Sequence, residues 1–346
     1  MDPDGGTGMR IAEDDDSDPE ERWLVLNPES GDGGHRERVR RLAEERGYTV
    51  RETQYAGHAP ELAREAAAAD ADLVAAAGGD GTLNGVVSGL DDADALPRTV
   101  VGVVPVGTAN IFADLVGVEG VEHAFEVLAD GRERRVDLGT VEGGSPGDGS
   151  AALADDPRSG RDDADDDDSR GLFVLSSLAG LPAEASLATS SALKSRLGTV
   201  AFVATALREA IDFDGIHLSV EAVVDGEETT WEGDALVALV GNLRGFGPPR
   251  ARANAEDGLL DAVIVERMPT RELLAEAATG DLFDPDADHA RHFRSTSLEI
   301  DAANELAFSV DGERLATDHL SVGVRPGVLR IKVGPDYDAA LPNPDD

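Results

Sequence analysis

The chain has 346 residues with 41% hydrophobic content, which suits a globular protein of two domains. Its 70 acidic side chains outnumber 30 basic ones and leave a formal charge of −40. The basic patches that nucleic-acid binding requires are therefore not available. With no cysteine, disulfides and thiolate metal sites are excluded as well. The negative charges on the surface are screened from one another only near molar salt, where the Debye length is roughly 3 Å. The excess of acidic residues therefore indicates a salt-loving host.

Residues 1–22 are acidic and glycine-rich and lack the basic and then apolar plan of a signal peptide. We predict that they form a disordered tail. No run reaches the roughly 18 to 20 apolar residues of a membrane helix. The sequence therefore predicts a cytoplasmic protein whose contact with a membrane, if it has one, is peripheral.

Residues 23–137 alternate short apolar runs with amphipathic stretches, a pattern typical of an α/β domain built on a parallel sheet. The strand candidates are 23–26, 49–53, 73–77 and 100–104. The helix candidates are 36–46, 59–69, 83–90 and 109–116. A polar or glycine-rich loop follows each strand candidate.

The rest of the chain has a different pattern. Residues 143–170 consist mainly of Gly, Ser, Pro and Asp, which predicts a disordered acidic insertion. Residues 171–333 carry many short β-rich runs and predict a largely antiparallel, β-rich second domain with one helix near 191–211. Residues 334–346 form a C-terminal tail that could return to the first domain.

Three loops of the first domain follow predicted parallel strands, where open α/β sheets bind their ligands. They span residues 27–31, 78–84 and 105–110. In the second of them, glycines allow a phosphate to approach the backbone, and the following helix directs its N–H groups at it. The alternative interpretation is a tight strand-to-helix turn, but three such loops favour phosphate binding. The first 193 residues lack lysine, which excludes a P-loop kinase.

The motifs occur in a fixed order. Asn-Pro-x-Ser-Gly at 27–31 precedes Gly-Gly-Asp-Gly-Thr-Leu-Asn at 78–84, Pro-x-Gly-Thr-x-Asn at 105–110 and Val-Asp-Leu-Gly at 136–139. Asp-Gly-Leu-Leu-Asp at 257–261 and Asp-Gly-Glu at 311–313 follow. This set resembles the diacylglycerol kinase catalytic domain, a family that includes sphingosine kinases and bacterial soluble lipid kinases. The resemblance covers residues 23–333 apart from the acidic insertion, and it implies a nucleotide site in the cleft between the two domains.

The resemblance also implies roles for individual residues. The implied ATP site consists of Asn27, Pro28, Glu29, Ser30, Gly31, Thr53, Gly79, Asp80, Gly81, Thr82, Leu83, Asn84, Gly85 and Thr108. Glu313 is the implied catalytic base, close to Asp311, while Asp80 and Asp137 would help to organise a catalytic Mg²⁺. A second, structural Mg²⁺ is implied near Asn254, Asp257 and Leu259.

Two positions depart from the bacterial members: Gly85 stands where they have Glu, and Ile111 stands where they have Asp. The Ile111 change removes a carboxylate from the implied metal network. A simpler interpretation also exists for the Asp-Gly pairs at 257–258 and 311–312, since Asp-Gly between apolar runs is a hairpin signal. A turn of this kind could still hold a base over the cleft.

The function predicted from these residues is transfer of the γ-phosphoryl of ATP to a hydroxyl of a diacylglycerol-like or archaeal ether or isoprenoid lipid, in phospholipid metabolism. The expected cofactors are ATP and Mg²⁺, and the expected partner is a lipid alcohol. Binding of nucleic acid is not expected, and the sequence does not decide whether the protein forms a homodimer. Two alternatives remain. An NAD kinase shares the Gly-Gly-Asp-Gly-Thr loop but has a later Thr-Gly-Ser-Thr-Ala-Tyr-like motif that this sequence lacks. A catalytically silent nucleotide-binding regulator would explain Gly85 and Ile111.

Overall fold

The computed structural model describes residues 20–31, 34–143, 145–146, 170–180, 213, 215–224, 226–242, 254–279 and 287–339. The predicted tail and the predicted acidic insertion lie almost entirely outside these ranges, and the predicted helix at 191–211 lies wholly outside them. Within the described ranges, no helix is long and apolar enough to cross a membrane.

The first part of the chain alternates strands and helices. These elements are β1 (Arg22–Leu26), α1 (Arg36–Glu44), β2 (Thr49–Glu52), α2 (Ala59–Ala68), β3 (Leu73–Gly78), α3 (Asp80–Asp92), β4 (Val100–Pro105), α4 (Ile111–Leu115) and α5 (Gly120–Asp130). Strands β2, β1, β3 and β4 lie side by side in that order and pair in parallel. Every residue of β3 is buried, as expected for a central strand covered on both faces.

The second part of the chain is dominated by strands. Its elements are β5 (Arg132–Glu142), β6 (Ser145–Pro146), β7 (Arg170–Phe173), β8 (Ser176–Gly180), β9 (Ile216–Val224), β10 (Glu227–Gly241), β11 (Leu260–Glu266), α6 (Thr270–Thr279), β12 (Ala290–Ser295), β13 (Ser297–Val310) and β14 (Glu313–Val333). Strands β12, β11, β10, β8, β13 and β14 are neighbours in that order, and each of these pairs is antiparallel.

Strand β14 belongs to both parts of the molecule. Its first half pairs with β13, whereas its second half pairs with β5 and meets β4 in parallel at Ile331 and Val101. The chain then continues to Tyr337, which is buried in the core of the first domain and whose carbonyl accepts a hydrogen bond from Arg132 at 3.1 Å. The two domains therefore share a continuous sheet.

Candidate active site

The three loops noted in the sequence lie next to one another at the carboxyl ends of β1, β3 and β4. We call them the first loop (27–31), the second loop (78–84) and the third loop (105–110). Asn27 N donates to Ala77 O at 2.9 Å, and Val106 N donates to Gly78 O at 3.1 Å. Backbone hydrogen bonds thus fix the first and third loops on either side of β3 and the second loop.

Two glycines allow these loops to approach closely. A Cβ atom on Gly107 would lie 2.4 Å from the Cα of Gly79. Gly31 has φ of +61°, and a Cβ atom there would lie 2.4 Å from the carbonyl oxygen of Val106. Real Cβ atoms do not approach so closely, so Gly107 is required for space and Gly31 for both space and conformation.

We expect Gly107→Ala to push the second and third loops apart and to weaken ATP binding tenfold or more, equivalent to about 1.4 kcal/mol. Its free energy of unfolding is expected to fall by about 1–3 kcal/mol, because overpacking shifts the backbone. Calorimetric ATP binding and urea unfolding measure the two effects. Gly81→Ala is the matched control for stability, since a Cβ atom there meets nothing within 4 Å.

Asp80 connects the second loop to the third. Its Oδ2 accepts the N–H of Ile111 at 3.1 Å and its Oδ1 accepts the N–H of Phe112 at 2.9 Å. The carboxylate thereby satisfies two N–H groups at the start of α4 that have no partner within the helix. Although the Ile111 side chain supplies no carboxylate, the backbone of this residue is one of the two groups that hold Asp80 in place.

The other implied nucleotide residues surround the same junction. Asn27 Nδ2 donates to Thr82 Oγ1 at 3.4 Å, and Thr53 N donates to Leu26 O at 2.9 Å, directly beside the first loop. Leu83 is buried in the core of the first domain, which leaves its backbone as the part that could meet a ligand. The remaining implied residues lie within the three loops or in the first turns of α3. Those in the first and third loops include Pro28, Glu29, Ser30 and Thr108.

Gly85, in the first turns of α3, packs against the first residues of α2. A Cβ atom on Gly85 would lie 3.0 Å from the Cβ of Ala59 and 3.2 Å from the Cδ of Pro60. Helices α2 and α3 therefore approach closely at this position. The glycine that departs from the bacterial pattern is explained by this packing.

Asp311 and Gly312 form the tight turn that the Asp-Gly signal predicts, between the paired residues Val310 and Glu313. Both have positive φ, 46° and 94°, as a two-residue hairpin turn requires. The Asp311 carboxylate accepts N–H groups from Val174, Leu175 and Ser176 at 2.6, 3.0 and 2.9 Å. Burial raises the pKa of Asp311, and these donors oppose the rise because they favour the ionised carboxylate.

Asn84 joins this turn to the second loop. Its Nδ2 donates to Asp311 Oδ2 at 2.9 Å and to Leu172 O at 3.1 Å, while its Oδ1 accepts the hydroxyl of Ser88 at 3.1 Å. Glu313 follows the turn directly and is exposed. Asn84 therefore connects α3 to the turn that directly precedes Glu313.

Asp137 has a different environment from the one that the resemblance implies. It is only 1% exposed, and its carboxylate accepts the N–H groups of Gly258 at 2.7 Å and Gly327 at 2.8 Å. Burial raises the pKa of Asp137, and these two N–H groups oppose the rise. Asn242, which the sequence analysis missed, donates from its Nδ2 to Asp137 O at 2.6 Å. The only signal for Asn242 is a polar residue that directly follows the apolar strand β10.

The residues fit the two implied metal ions to different degrees. Among the described residues, no group of three Asp, Glu or His side chains is arranged to hold a metal ion. Asp80 is partly exposed, and its oxygens keep lone pairs for water bound to a nucleotide-associated Mg²⁺. Asp137 is enclosed, and Asp257 is already paired with the guanidinium of Arg294, so neither presents a free carboxylate.

A cavity in the described part of the chain lies away from these loops. It measures about 570 Å³ and is lined by residues of β10, β11, α6 and the segment between β11 and α6, including Trp231, Met268 and Leu273. Its lining residues on β10 run from Trp231 to Leu236, in the middle of that strand, and none of its lining residues belongs to the three loops or to the Asp311 turn. It is therefore separate from the candidate nucleotide site.

Comparisons with known proteins match both parts of the chain. Residues 21–141 match the diacylglycerol kinase catalytic domain, and residues 176–333 match the YegS C-terminal NAD kinase beta sandwich-like domain. A protein of Cronobacter sakazakii (strain ATCC BAA-894), named "Probable lipid kinase YegS-like", is 30% identical over 325 residues, which is 91% of this chain and 96% of that protein. A protein of the same name from Enterobacter sp. (strain 638) is 29% identical and covers 83% of this chain and 86% of its own.

A solved structure has the same fold. The crystal structure of a diacylglycerol kinase from Bacillus anthracis str. Sterne superposes with a TM-score of 0.64 at 19% identity, covering 92% of this chain and 98% of its own. The match to one relative at 30% identity over nearly its whole length decides the family. This chain belongs to the diacylglycerol kinase catalytic-domain family, and it is a kinase-type phosphotransferase.

Proposed function

We propose that this protein transfers the γ-phosphoryl group of ATP to a hydroxyl group of a lipid alcohol, in phospholipid metabolism. The observation that carries the proposal is a pair of contacts made from α3. Asp80 ties the second loop to the third, and Asn84, four residues later on the same helix, ties that loop to the Asp311 turn. One helix therefore orients both a phosphate-binding surface and a candidate base.

In the proposed reaction, the lipid hydroxyl oxygen attacks the γ-phosphorus while Glu313 accepts its proton. The bond between the γ-phosphorus and the bridging oxygen breaks, and its electron pair leaves with ADP. The N-terminus of α3, which starts at Asp80, directs its N–H groups and dipole at the phosphates. Covalent catalysis is not required, because phosphoryl transfer depends mainly on positioning and on neutralising charge.

Mg²⁺ is expected to accompany ATP, and it would neutralise the phosphate oxygens and polarise the γ-phosphoryl group. Asp80 is the residue that we propose to contact it, through water. We assign Asp137 a positioning role because, unlike Asp80, it is buried. We assign Asp311 a positioning role because its carboxylate accepts four hydrogen bonds from the protein, whereas that of Asp80 accepts two. Asp311 would hold Glu313, and Asp137 would hold the junction between the domains.

The relatives' names support a lipid as the acceptor, and the acidic composition favours a salt-loving host. We therefore include diacylglycerol, a glycerol ether lipid and an isoprenoid alcohol among the candidate acceptors. The enzyme would act in the cytoplasm and reach its substrate by peripheral contact with a membrane.

The substrate class is tested by incubating the protein with Mg-ATP, in molar KCl, with vesicles that contain one acceptor at a time. Mass spectrometry identifies the phosphorylated product. Phosphorylation of a lipid alcohol and not of NAD supports the proposal. Phosphorylation of NAD would favour an NAD kinase, and ATP binding with no product from any acceptor would favour a silent nucleotide-binding regulator.

Activity is expected to depend on molar salt, because the formal charge of −40 repels ATP and resists close packing of the two domains. Turnover measured from about 0.1 to 3 M KCl should rise with salt, as the Debye length shortens from roughly 10 Å to less than 3 Å. Sorbitol at matched water activity serves as the control for effects other than screening. Full turnover at the lowest salt concentration would contradict this prediction.

A further inference from the structure

The turn at residues 254–259, which we call the acidic turn, brings several carboxylates together. It contains Glu256 and Asp257, and the buried Asp137 accepts a hydrogen bond from Gly258 N at 2.7 Å. The proximity of Asp257 and Glu256 also helps to raise the pKa of Asp137, although burial is the larger cause. Several carboxylates in a partly buried environment require a nearby positive charge to offset their repulsion and their loss of hydration.

Four oxygen atoms of Asn254 and Asp257 that could bind a metal here already have partners inside the protein. Asp257 Oδ1 accepts the N–H of Leu259 at 3.0 Å, and Asp257 Oδ2 pairs with the guanidinium of Arg294. Asn254 Oδ1 accepts the N–H of Glu256 at 3.0 Å, and Asn254 O accepts the N–H of Asp257 at 3.4 Å. Both oxygens of the central carboxylate are therefore engaged.

Two arginines supply positive charge to the acidic turn from different strands. Arg294 lies on β12, opposite Asp261 of β11 in the strand register, and its Nε is 3.7 Å from Asp261 Oδ1. Arg134 comes from β5 and pairs with Glu256, with Nε and Oε1 2.9 Å apart. Together these guanidinium groups carry two positive charges, the same as one Mg²⁺.

A guanidinium also suits a salt-loving protein better than a bound ion. Mg²⁺ loses its water reluctantly and requires nearly octahedral oxygen ligands, and at molar salt it would compete with a large excess of K⁺ or Na⁺. Arg294 is covalently attached, always charged and unable to dissociate. We infer that the guanidinium of Arg294 takes the place of a structural divalent cation at the acidic turn.

The inference is tested by thermal unfolding without nucleotide, at constant ionic strength in molar KCl, with EDTA or with increasing MgCl₂. The wild-type melting temperature is expected to be the same in both conditions. Arg294→Met is expected to melt about 3 °C or more below the wild type in EDTA. Mg²⁺ should then raise its melting temperature saturably, because the vacated carboxylates can accept the ion.

Arg291→Met is the matched control, since Arg291 lies on the same strand and pairs with Glu266, away from the acidic turn. Its melting temperature should not respond to Mg²⁺. If Arg294→Met does not fold, Arg294→Gln, which keeps a hydrogen-bond donor, is measured in the same way. The inference is overturned by any of three results: a saturable Mg²⁺ response of the wild type that Asp257→Asn abolishes, an Arg294 variant that melts like the wild type, or one that is destabilised without responding to Mg²⁺.

Discussion

Replacing Glu313 with glutamine is expected to lower turnover by about 10²-fold or more, because a general base contributes typically 10²- to 10⁴-fold to the rate. Glutamine keeps the size of the side chain but does not accept the proton of the lipid hydroxyl. Glu313 is exposed, so the substitution should leave the melting temperature unchanged.

Affinity for Mg-ATP should change less than tenfold in Glu313→Gln, or less than about 1.4 kcal/mol, since the three loops that we propose to bind the nucleotide do not include this residue. Steady-state turnover and calorimetric ATP affinity are measured on one folded preparation. Glu305→Gln, another exposed carboxylate on the same pair of long strands, is the matched control. Unchanged turnover in Glu313→Gln would show that this carboxylate is not the base.

Asp80→Asn is expected to have a second large effect of a different kind. Asparagine has one carbonyl oxygen, so its amide group would face the N–H of either Ile111 or Phe112, both of which now donate to the carboxylate. The third loop and α4 would then move away from the second loop. We expect turnover to fall by about 10²-fold or more and the free energy of unfolding by about 1–3 kcal/mol, the cost of an unsatisfied donor.

Unlike Glu313→Gln, Asp80→Asn should also weaken ATP binding, by tenfold or more, because the loops themselves move. Calorimetry, turnover and urea unfolding together distinguish the two variants. Asp114→Asn, in the exposed part of α4, should leave all three quantities near the wild type. If Asp80→Asn binds ATP normally and turns over normally, the contact between the second and third loops is not part of the site.

The buried parallel strands were the most predictable part of the fold. The candidates at 23–26, 49–53, 73–77 and 100–104 agree with β1 to β4 within one residue. Strands β1, β3 and β4 are largely buried, and a strand buried on both faces appears as an unbroken apolar run. Strand β2 is less buried and carries Arg51 and Glu52. The Asp-Gly signal likewise predicted the turn at 311–312, where Asp311 and Gly312 both have positive φ.

Elements with polar surfaces were missed. Strand β5 begins Arg-Glu-Arg-Arg with a largely exposed face, and β12 reads Ala-Arg-His-Phe-Arg-Ser at the edge of the sheet. Edge strands carry charge to prevent pairing with other molecules, so their local pattern does not indicate a strand. Strand β14 extends over 21 residues because it pairs first with β13 and then with β5, and this exchange of partners leaves no local signal.

In the candidate site, too, features with a local sequence pattern were predictable, whereas contacts between distant residues were not. The ordered motifs predicted which loops would meet, since each loop directly follows a strand. They did not reveal what the carboxylates contact: Asp80 holds α4, Asp311 holds residues 174–176 and Asp137 holds Gly258 and Gly327. Asn242 and Arg294 were also missed, because each acts through residues distant in the sequence.

In the proposed function, a phosphoryl group passes from ATP, held by the three loops, to a lipid hydroxyl beside Glu313. The most direct measurement follows radiolabel from the γ-position of ATP into chloroform-extractable product, using lipid-alcohol vesicles, Mg²⁺ and molar KCl. Wild-type protein is expected to label a lipid phosphate in proportion to time and enzyme, and Glu313→Gln to label at most about one hundredth as much. Equal labelling by the two proteins, or ATP binding by the wild type with no labelled lipid, would contradict the account.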